Sequence, residues 1–186
     1  MTKHIGIVAC SAEGAALCYR TICVEGASEM GPHTHPEISM HTIPLADYMV
    51  GIESDDWSAV AKLMLISARK LAEVGADFLI CPDNTIHQSF DIVEAQSPLP
   101  WLHIARVVCE KAQSLGFGRL GITGTRFLME GPVYREAASQ AEIETATPNL
   151  DERIRINNII FNELVYGDIR EPSRSYFVET IGALAA

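Results

Sequence analysis

Short apolar runs alternate with segments of helical periodicity along nearly the whole of this 186-residue chain. The runs Ile5–Ala9, Asp77–Cys81 and Arg119–Thr123 have the length and apolar character of buried strands. Between such runs, apolar residues recur three and four positions apart, which is the spacing of one face of a helix. This alternation predicts an α/β fold in which a parallel sheet is flanked by helices.

Two helical segments carry further local signals. Ser54, Asp55 or Asp56 can cap a helix whose apolar positions extend to Ala72, and Gly75 can end it. The segment that begins at Arg126 also reads as a helix, but Gly131-Pro132 should interrupt or kink it.

Pro98 and Pro100 break both kinds of periodicity within Glu94–Trp101. The strand–helix alternation resumes after them, so we expect two similar lobes, residues 1–98 and 99–186, each with its own parallel sheet. The last predicted helix, Ser173–Leu184, has no strand after it to which it would return. We therefore expect the folding unit to need about one more strand–helix unit, roughly 30 residues.

The charge balance excludes some classes of partner. Fourteen Lys and Arg residues against 24 Asp and Glu give a net charge of −10, which disfavours nucleic acid and anionic membranes as partners. No apolar stretch reaches the length of a transmembrane helix. The N-terminal segment lacks the pattern of a signal peptide, and a cytoplasmic location is expected.

The cysteine pattern excludes two kinds of site. The five cysteines are an odd number, and none forms a CxxC pair. We therefore expect neither a disulfide framework nor a structural zinc site, and most of the thiols should be small buried hydrophobic groups.

Three polar loops follow predicted strands, at the edge where parallel α/β folds bind ligands. They are Cys10–Gly14, Asp83–Thr85 and Thr123–Arg126, and each leads into a helix whose backbone N–H groups can receive an anion. None matches a Walker loop or GxGxxG, so a nucleotide cofactor is not indicated. Each polar residue, taken alone, also fits a helix cap, but three such loops together favour a binding cleft.

Five blocks of sequence resemble the aspartate/glutamate racemase superfamily, in the same order and spacing. They are IGIVACSAEGAALCYR, HPEISMHTIPLADY, GADFLICPDNTIH, GITGTRFLMEGPVY and NNIIFNELVYGDI. The resemblance implies two similar α/β lobes with an inter-lobe cleft and usually a homodimer. It also implies cofactor-independent proton transfer at the α-carbon of an acidic amino acid, with one cysteine from each lobe on opposite faces of that carbon.

The chain departs from this family at the first cysteine. The position immediately before the Asn-Thr pair is Asp83, and the second cysteine is expected in a Gly-Cys-Thr-Glu segment beyond Ala186. Cys81 is a poor substitute because it should lie within the strand, below the cleft. Asp83 is therefore the candidate catalytic base.

An aspartate is an intrinsically weaker base than a thiolate. Their ordinary pKa values, about 3.9 and 8.5, differ by roughly 6 kcal/mol of proton affinity. Burial can recover about 3–5 pKa units of this difference. A desolvated Asp83 could therefore act as a base, whereas a solvated one would be too weak, and the sequence leaves both cases open.

The resemblance also implies a set of substrate-binding residues. They are Ser11, Asn84, Thr85, Thr125 and Arg174. Asn84 and Thr85 match contacts to the substrate's α-carboxylate, and Arg174 lies near a basic residue for the distal carboxylate. A solvated surface arginine fits position 174 equally well, and His87 fits either a residue that orients the loop or a structural histidine.

Three functional interpretations follow. The first is a racemase or epimerase of an acidic amino acid. The second is a decarboxylase or cis–trans isomerase of a small carboxylate, chemistry that the superfamily carries out with a single catalytic thiol. The third is a non-catalytic carboxylate-binding homologue that has kept the cleft and lost the base.

Overall fold

The computed structural model describes residues 2–185, which form helices and short parallel strands. The chain divides into two compact units, one ending at Ile104 and the other beginning at Ala105. The boundary predicted between residues 98 and 99 falls a few residues earlier. The predicted α/β fold class, with parallel strands flanked by helices, is confirmed.

The first unit is built on a four-stranded sheet of order β2–β1–β3–β4 in which every pair is parallel. The strands are β1 (Ile5–Ala9), β2 (Ile38–Thr42), β3 (Phe78–Ile80) and β4 (Trp101–Leu102). The helices are α1 (Ala12–Met30), α2 (Leu45–Glu53), α3 (Trp57–Glu73) and α4 (Phe90–Gln96). A 3-10 helix, Thr85–Ser89, precedes α4.

Helix α3 follows its sequence signals closely. Asp56 is its N-cap, and one carboxylate oxygen accepts a hydrogen bond from the Ala59 N–H at 3.0 Å. Gly75 follows the helix with φ 88°, a conformation that glycine adopts at little cost. The apolar row is buried, at Val60, Ala61, Met64, Leu65, Ala68 and Leu71.

Helix α2 was not predicted, because its local signals are weak. Its N-cap is Pro44, which has no side chain that could cap the helix, and Gly51 lowers helix propensity. Packing explains the helix instead, since Tyr48 and Ile52 are buried. A Cβ at Gly51 would lie 2.9 Å from a methyl carbon of Val60, so only glycine lets α2 approach α3 this closely.

The second unit contains a two-stranded parallel sheet of β5 (Arg119–Gly121) and β6 (Glu144–Ala146). Its helices are α5 (Ile104–Ser114), α6 (Arg126–Glu130), α7 (Val133–Gln140), α8 (Leu150–Asn162) and α9 (Glu171–Ala185), with a 3-10 turn at Leu164–Tyr166. The predicted interruption at Gly131-Pro132 is confirmed, because it separates α6 from α7.

Apolar side chains from α5, α6, α7 and the strand ends form the core of this second unit. Its largest members are Ile122, Leu128, Val133 and Ile143.

Helix α8 begins with a reciprocal capping box between Asn149 and Glu152. Across residues 2–185, no helix is both long enough and apolar enough to cross a membrane.

Candidate active site

Two of the three polar loops meet at a point that the strand order creates. The chain leaves β1 for β2 on one side of the sheet and later enters β3 on the other side of β1. The carboxyl ends of β1 and β3 are therefore the topological switch point, where open α/β sheets bind ligands. Cys10 and Ser11 form the loop between β1 and α1, and residues 81–84 form the loop between β3 and the 3-10 helix, so Ala12–Gly14 and Thr85 of the predicted loops lie in helices.

Asp83 joins the two loops. Its Oδ2 accepts a hydrogen bond from the Cys10 N–H at 3.1 Å, and its Oδ1 accepts one from the Ser11 N–H at 3.1 Å. These N–H groups precede α1, where backbone donors favour an anion. The anion bound by these N–H groups is thus a side chain of the protein itself.

Two opposing effects act on the Asp83 carboxyl group. Burial raises its pKa above the ordinary aspartate value, because the charged form loses its hydration. Hydrogen bonds from Ser11 and Cys10 lower the pKa, because they stabilise the carboxylate. Burial is the larger effect, so the pKa is raised overall and Asp83 is a stronger base than an exposed aspartate.

The buried imidazole of His87 contacts the backbone of the loop that carries Asp83. Its Nδ1 lies 3.0 Å from the Asp83 carbonyl oxygen, and its Nε2 lies 3.5 Å from the Ile104 backbone nitrogen. The Ile104 N–H can only donate, so Nε2 accepts and Nδ1 carries the proton that bonds the Asp83 carbonyl. Burial, followed by the nearby His103, lowers the pKa of His87 to about 4, which keeps this ring neutral.

The thiols nearest to Asp83 are poor acid–base groups. Cys10 and Cys81 are buried, and burial, reinforced by the Asp83 charge, raises the pKa of each well above the ordinary thiol value. The Cys81 Sγ lies 3.8 Å from the Asp83 carbonyl oxygen, so this thiol supports the loop. Within residues 2–185, no group of three His, Cys, Asp or Glu side chains is arranged to hold a metal ion.

The structure brings four of the predicted residues together in the first unit. Ser11 is the N-cap residue of α1, and Asn84 precedes the 3-10 helix in which Thr85 is the first residue. Neither Ser11 nor Asn84 caps its helix through its side chain. Ser11 and Asn84 therefore do not serve as the side-chain caps that the sequence left as the alternative for each of them.

The other two predicted residues belong to the second unit. Thr125 is the N-cap of α6, and its hydroxyl accepts a hydrogen bond from the Leu128 N–H at 3.3 Å. Arg174 is exposed on α9 and forms an ion pair with Glu171 at 3.3 Å. Both side chains thus make local contacts with their own helices.

The sequence did not indicate the contact between Asp83 and the loop after β1. It also did not indicate the ring contacts of His87 with its aromatic neighbours. The His87 ring stacks on Phe90 and meets His103 edge to face, with ring centres 5.7 and 4.8 Å apart. Such contacts depend on which strands are neighbours, and a single sequence does not report this. The approach of two polar strand-end loops was the one available signal.

Gly14 gives a test of the local geometry. A Cβ at this position would lie 2.7 Å from the Ser11 Oγ and 3.8 Å from the Asp83 Oδ1. We expect Gly14→Ala to turn the Ser11 hydroxyl away and to exclude water, so that the pKa of Asp83 rises further. Carboxyl-carbon NMR titration of Asp83 measures this change.

Gly182→Ala is the matched control, because nothing lies within 4 Å of the added Cβ in α9. It should stabilise the protein by about 0.5–1 kcal/mol, as alanine does inside a helix, and leave the Asp83 titration unchanged. If Gly14→Ala also left that titration unchanged, the assigned contacts among Gly14, Ser11 and Asp83 would be wrong.

Known proteins resemble this chain over nearly its full length. A crystal structure of a candidate Asp/Glu racemase from Yersinia pestis is 30% identical, with a TM-score of 0.85, and the match covers 99% of this chain and 81% of that one. An aspartate racemase homologue from Pyrococcus horikoshii is 26% identical, with a TM-score of 0.75, over 90% of this chain and 74% of that one.

The fold likeness extends to more distant proteins. The aspartate racemase of Picrophilus torridus has the same fold, with a TM-score of 0.77 at 15% identity, over 97% of this chain and 75% of that one. The sequence model of the Asp/Glu/hydantoin racemase family matches residues 7–186. The chain therefore belongs to the Asp/Glu/hydantoin racemase family.

Proposed function

We propose that this protein is a cofactor-independent racemase or epimerase that transfers a proton at the α-carbon of an acidic amino acid, with Asp83 as the base. The observation that carries the proposal is the position of Asp83, whose carboxylate bridges the carboxyl ends of β1 and β3. Family membership and the acidic amino acids named for the relatives support the substrate class. We further propose that the protein acts as a homodimer, as the family resemblance implies.

Abstraction of the α-proton needs one base and groups that hold the substrate's α-carboxylate. An Asp83 carboxylate oxygen takes the α-proton and becomes a carboxylic acid, while the electron pair of the C–H bond stays on the substrate and is delocalised into its α-carboxylate. Asn84 and Thr85 would hold that carboxylate by hydrogen bonds. The protonated Asp83 can return its proton to the same face, which restores the substrate. Inversion instead needs a proton delivered to the opposite face by a second donor, after which Asp83 releases its own proton to solvent.

The raised pKa of Asp83 favours this chemistry. An ordinary aspartate is too weak to abstract such a proton readily, and burial recovers part of the lost basicity. The two backbone N–H groups fix the carboxylate at the switch point, and this pre-organisation reduces the entropy lost on reaching the transition state.

One observation favours a second function. Both oxygens of Asp83 already accept backbone hydrogen bonds, a geometry that also suits a clamp holding the loop after β1. In that case the protein would be a carboxylate-binding homologue, with Asn84 and Thr85 as its ligand contacts. Proton exchange separates the two functions, because binding alone leaves the α-hydrogen in place.

The test is α-hydrogen exchange in deuterium oxide, followed by proton NMR with aspartate and glutamate of both configurations. Exchange needs one base on one face, so it detects Asp83 even where inversion is slow. Ligand binding without exchange would support the carboxylate-binding function and contradict the enzyme.

The pH dependence of this exchange gives a separate prediction. The carboxylate is the active form, so the rate should fall as pH is lowered through the pKa of Asp83. Because burial raises this pKa, the acidic limb should have its midpoint above the ordinary value of about 3.9. A midpoint at or below that value would contradict a buried carboxylate as the base.

A further inference from the structure

The second unit contains a cavity of about 310 Å³ that none of the residues proposed for catalysis or substrate binding lines. Residues from α6, α7 and α8 surround it, together with residues at the carboxyl ends of β5 and β6. Its apolar part is formed by Ile122, Leu128 and Met129. This volume is at the small end of the range for ligand sites, about 300–1,000 Å³.

Two arginines line the cavity and are held by defined contacts. The Arg135 Nε donates to the Gly131 carbonyl oxygen at 3.1 Å, and another of its N–H groups donates to the Glu130 carbonyl. The Arg153 Nε lies 3.3 Å from the Glu130 carboxylate. Two cations and one carboxylate therefore give the lining an excess of positive charge, in a chain whose net charge is −10.

One donor of Arg153 is unsatisfied. Its Nε is buried, and among residues 2–185 no acceptor meets this N–H with hydrogen-bond geometry, although Glu130 is at ion-pair distance. Buried donors almost always have a partner, because desolvation without a hydrogen bond is unfavourable. The buried Nε lies against Glu130, so a ligand in the cavity would meet the terminal N–H groups of Arg153, one of which donates to the Pro148 carbonyl oxygen at 3.4 Å. A guanidinium has five N–H donors in a planar fork that matches an oxyanion, so an arginine in the lining suits such a ligand.

Hydroxyl groups complete the polar wall. Tyr134, Thr145 and Thr147 also line the cavity. Burial is the main cause that raises the pKa of Tyr134 to about 12, and electrostatic interaction with Cys109 is the second cause. The phenol is therefore protonated at neutral pH. The lining therefore combines guanidinium and hydroxyl groups with an apolar surface.

We propose that this cavity of the second unit binds a small organic carboxylate with a short apolar chain. The carboxylate binds Arg153 and the neighbouring hydroxyls, and the apolar chain covers Ile122, Leu128 and Met129. An inorganic oxyanion would use the arginines and leave this apolar surface uncovered. The combined lining therefore favours the organic ligand.

Isothermal titration of the full chain with butyrate, acetate and inorganic phosphate tests the site. Butyrate should bind most tightly, because it alone covers the apolar surface. Arg153→Gln should weaken butyrate binding roughly ten- to hundredfold, the effect of losing a charge-assisted hydrogen bond. Thr147→Val, which keeps the side-chain shape, should weaken it roughly tenfold and serves if Arg153→Gln fails to fold.

Arg155→Gln is the matched control. Arg155 lies on the same helix, but its guanidinium covers the Tyr176 ring and does not line the cavity. Arg155→Gln should leave butyrate binding unchanged. Phosphate binding as tight as butyrate, no saturable binding, or butyrate binding lost in Asn84→Ala but kept in Arg153→Gln would each overturn the proposal.

Discussion

Asp83→Asn should lower α-hydrogen exchange by roughly 10²–10⁴-fold, the usual contribution of a positioned acid–base group. Asparagine has nearly the shape of aspartate, and its one carbonyl oxygen can still accept a hydrogen bond from the loop after β1. Its amide has no basic site at neutral pH, however, so it cannot take the α-proton. Ligand binding should change far less than exchange, because Asn84 and Thr85 are untouched.

Asp77→Asn is the matched control for this loss. Asp77 precedes the same strand, and its carboxylate accepts a hydrogen bond from the His4 N–H at 2.6 Å. The two substitutions therefore replace carboxylates that accept similar backbone hydrogen bonds near opposite ends of β3, and only Asp83 lies at the switch point. Asp77→Asn should retain exchange, and urea unfolding of both variants shows whether either change acts through stability. Undiminished exchange in a folded Asp83→Asn protein would exclude Asp83 as the base.

Acidification should destabilise the protein through His87. The pKa of its ring is lowered from 6.5 to about 4 in the folded protein, so the unfolded chain binds the proton more tightly than the folded protein does. Stability is therefore fully present above pH 6.5 and is lost as pH falls from there through the folded pKa. The loss should reach about 2 kcal/mol by pH 5 and about 3 kcal/mol well below pH 4.

His87→Asn isolates this contribution. Asparagine can still donate to the Asp83 carbonyl, but it does not titrate, so its unfolding free energy should fall less between pH 7.5 and pH 5 than that of the parent protein. His33→Asn is the control, because His33 is exposed and its φ of 63° suits asparagine. An equal loss in the parent protein and in His87→Asn would show that another group causes the acid sensitivity.

The sequence predicted the positions of helices and strands better than it predicted which of them pack or pair together. Strands such as Ile5–Ala9 and the helix capped by Asp56 have strong local signals, which survive in the structure. Helix α2 lacked such signals, because Gly51 is unfavourable in an isolated helix and is explained only by its contact with Val60. Local propensity therefore failed where tertiary packing determined the element.

The candidate site was predicted in part for a similar reason. The position of Asp83 after a buried strand made it a candidate, and the family resemblance implies a cysteine at that position. The partners of its carboxylate, the N–H groups of Cys10 and Ser11, follow from strand order, which no motif in the chain specifies. The balance between burial and hydrogen bonding at Asp83 depends on those partners, so it required the structure.

The bridge made by Asp83 also affects when the site forms during folding. Its two hydrogen bonds join residues 73 and 72 positions apart, and closing such a long segment is entropically unfavourable until other contacts have fixed its ends. The pairing of β3 with β1 fixes them, so the carboxylate takes its place only after this long-range pairing. The carboxylate of the proposed base is therefore held in position only late in folding. A chain in which β3 does not pair with β1 would also lack the two hydrogen bonds that position Asp83.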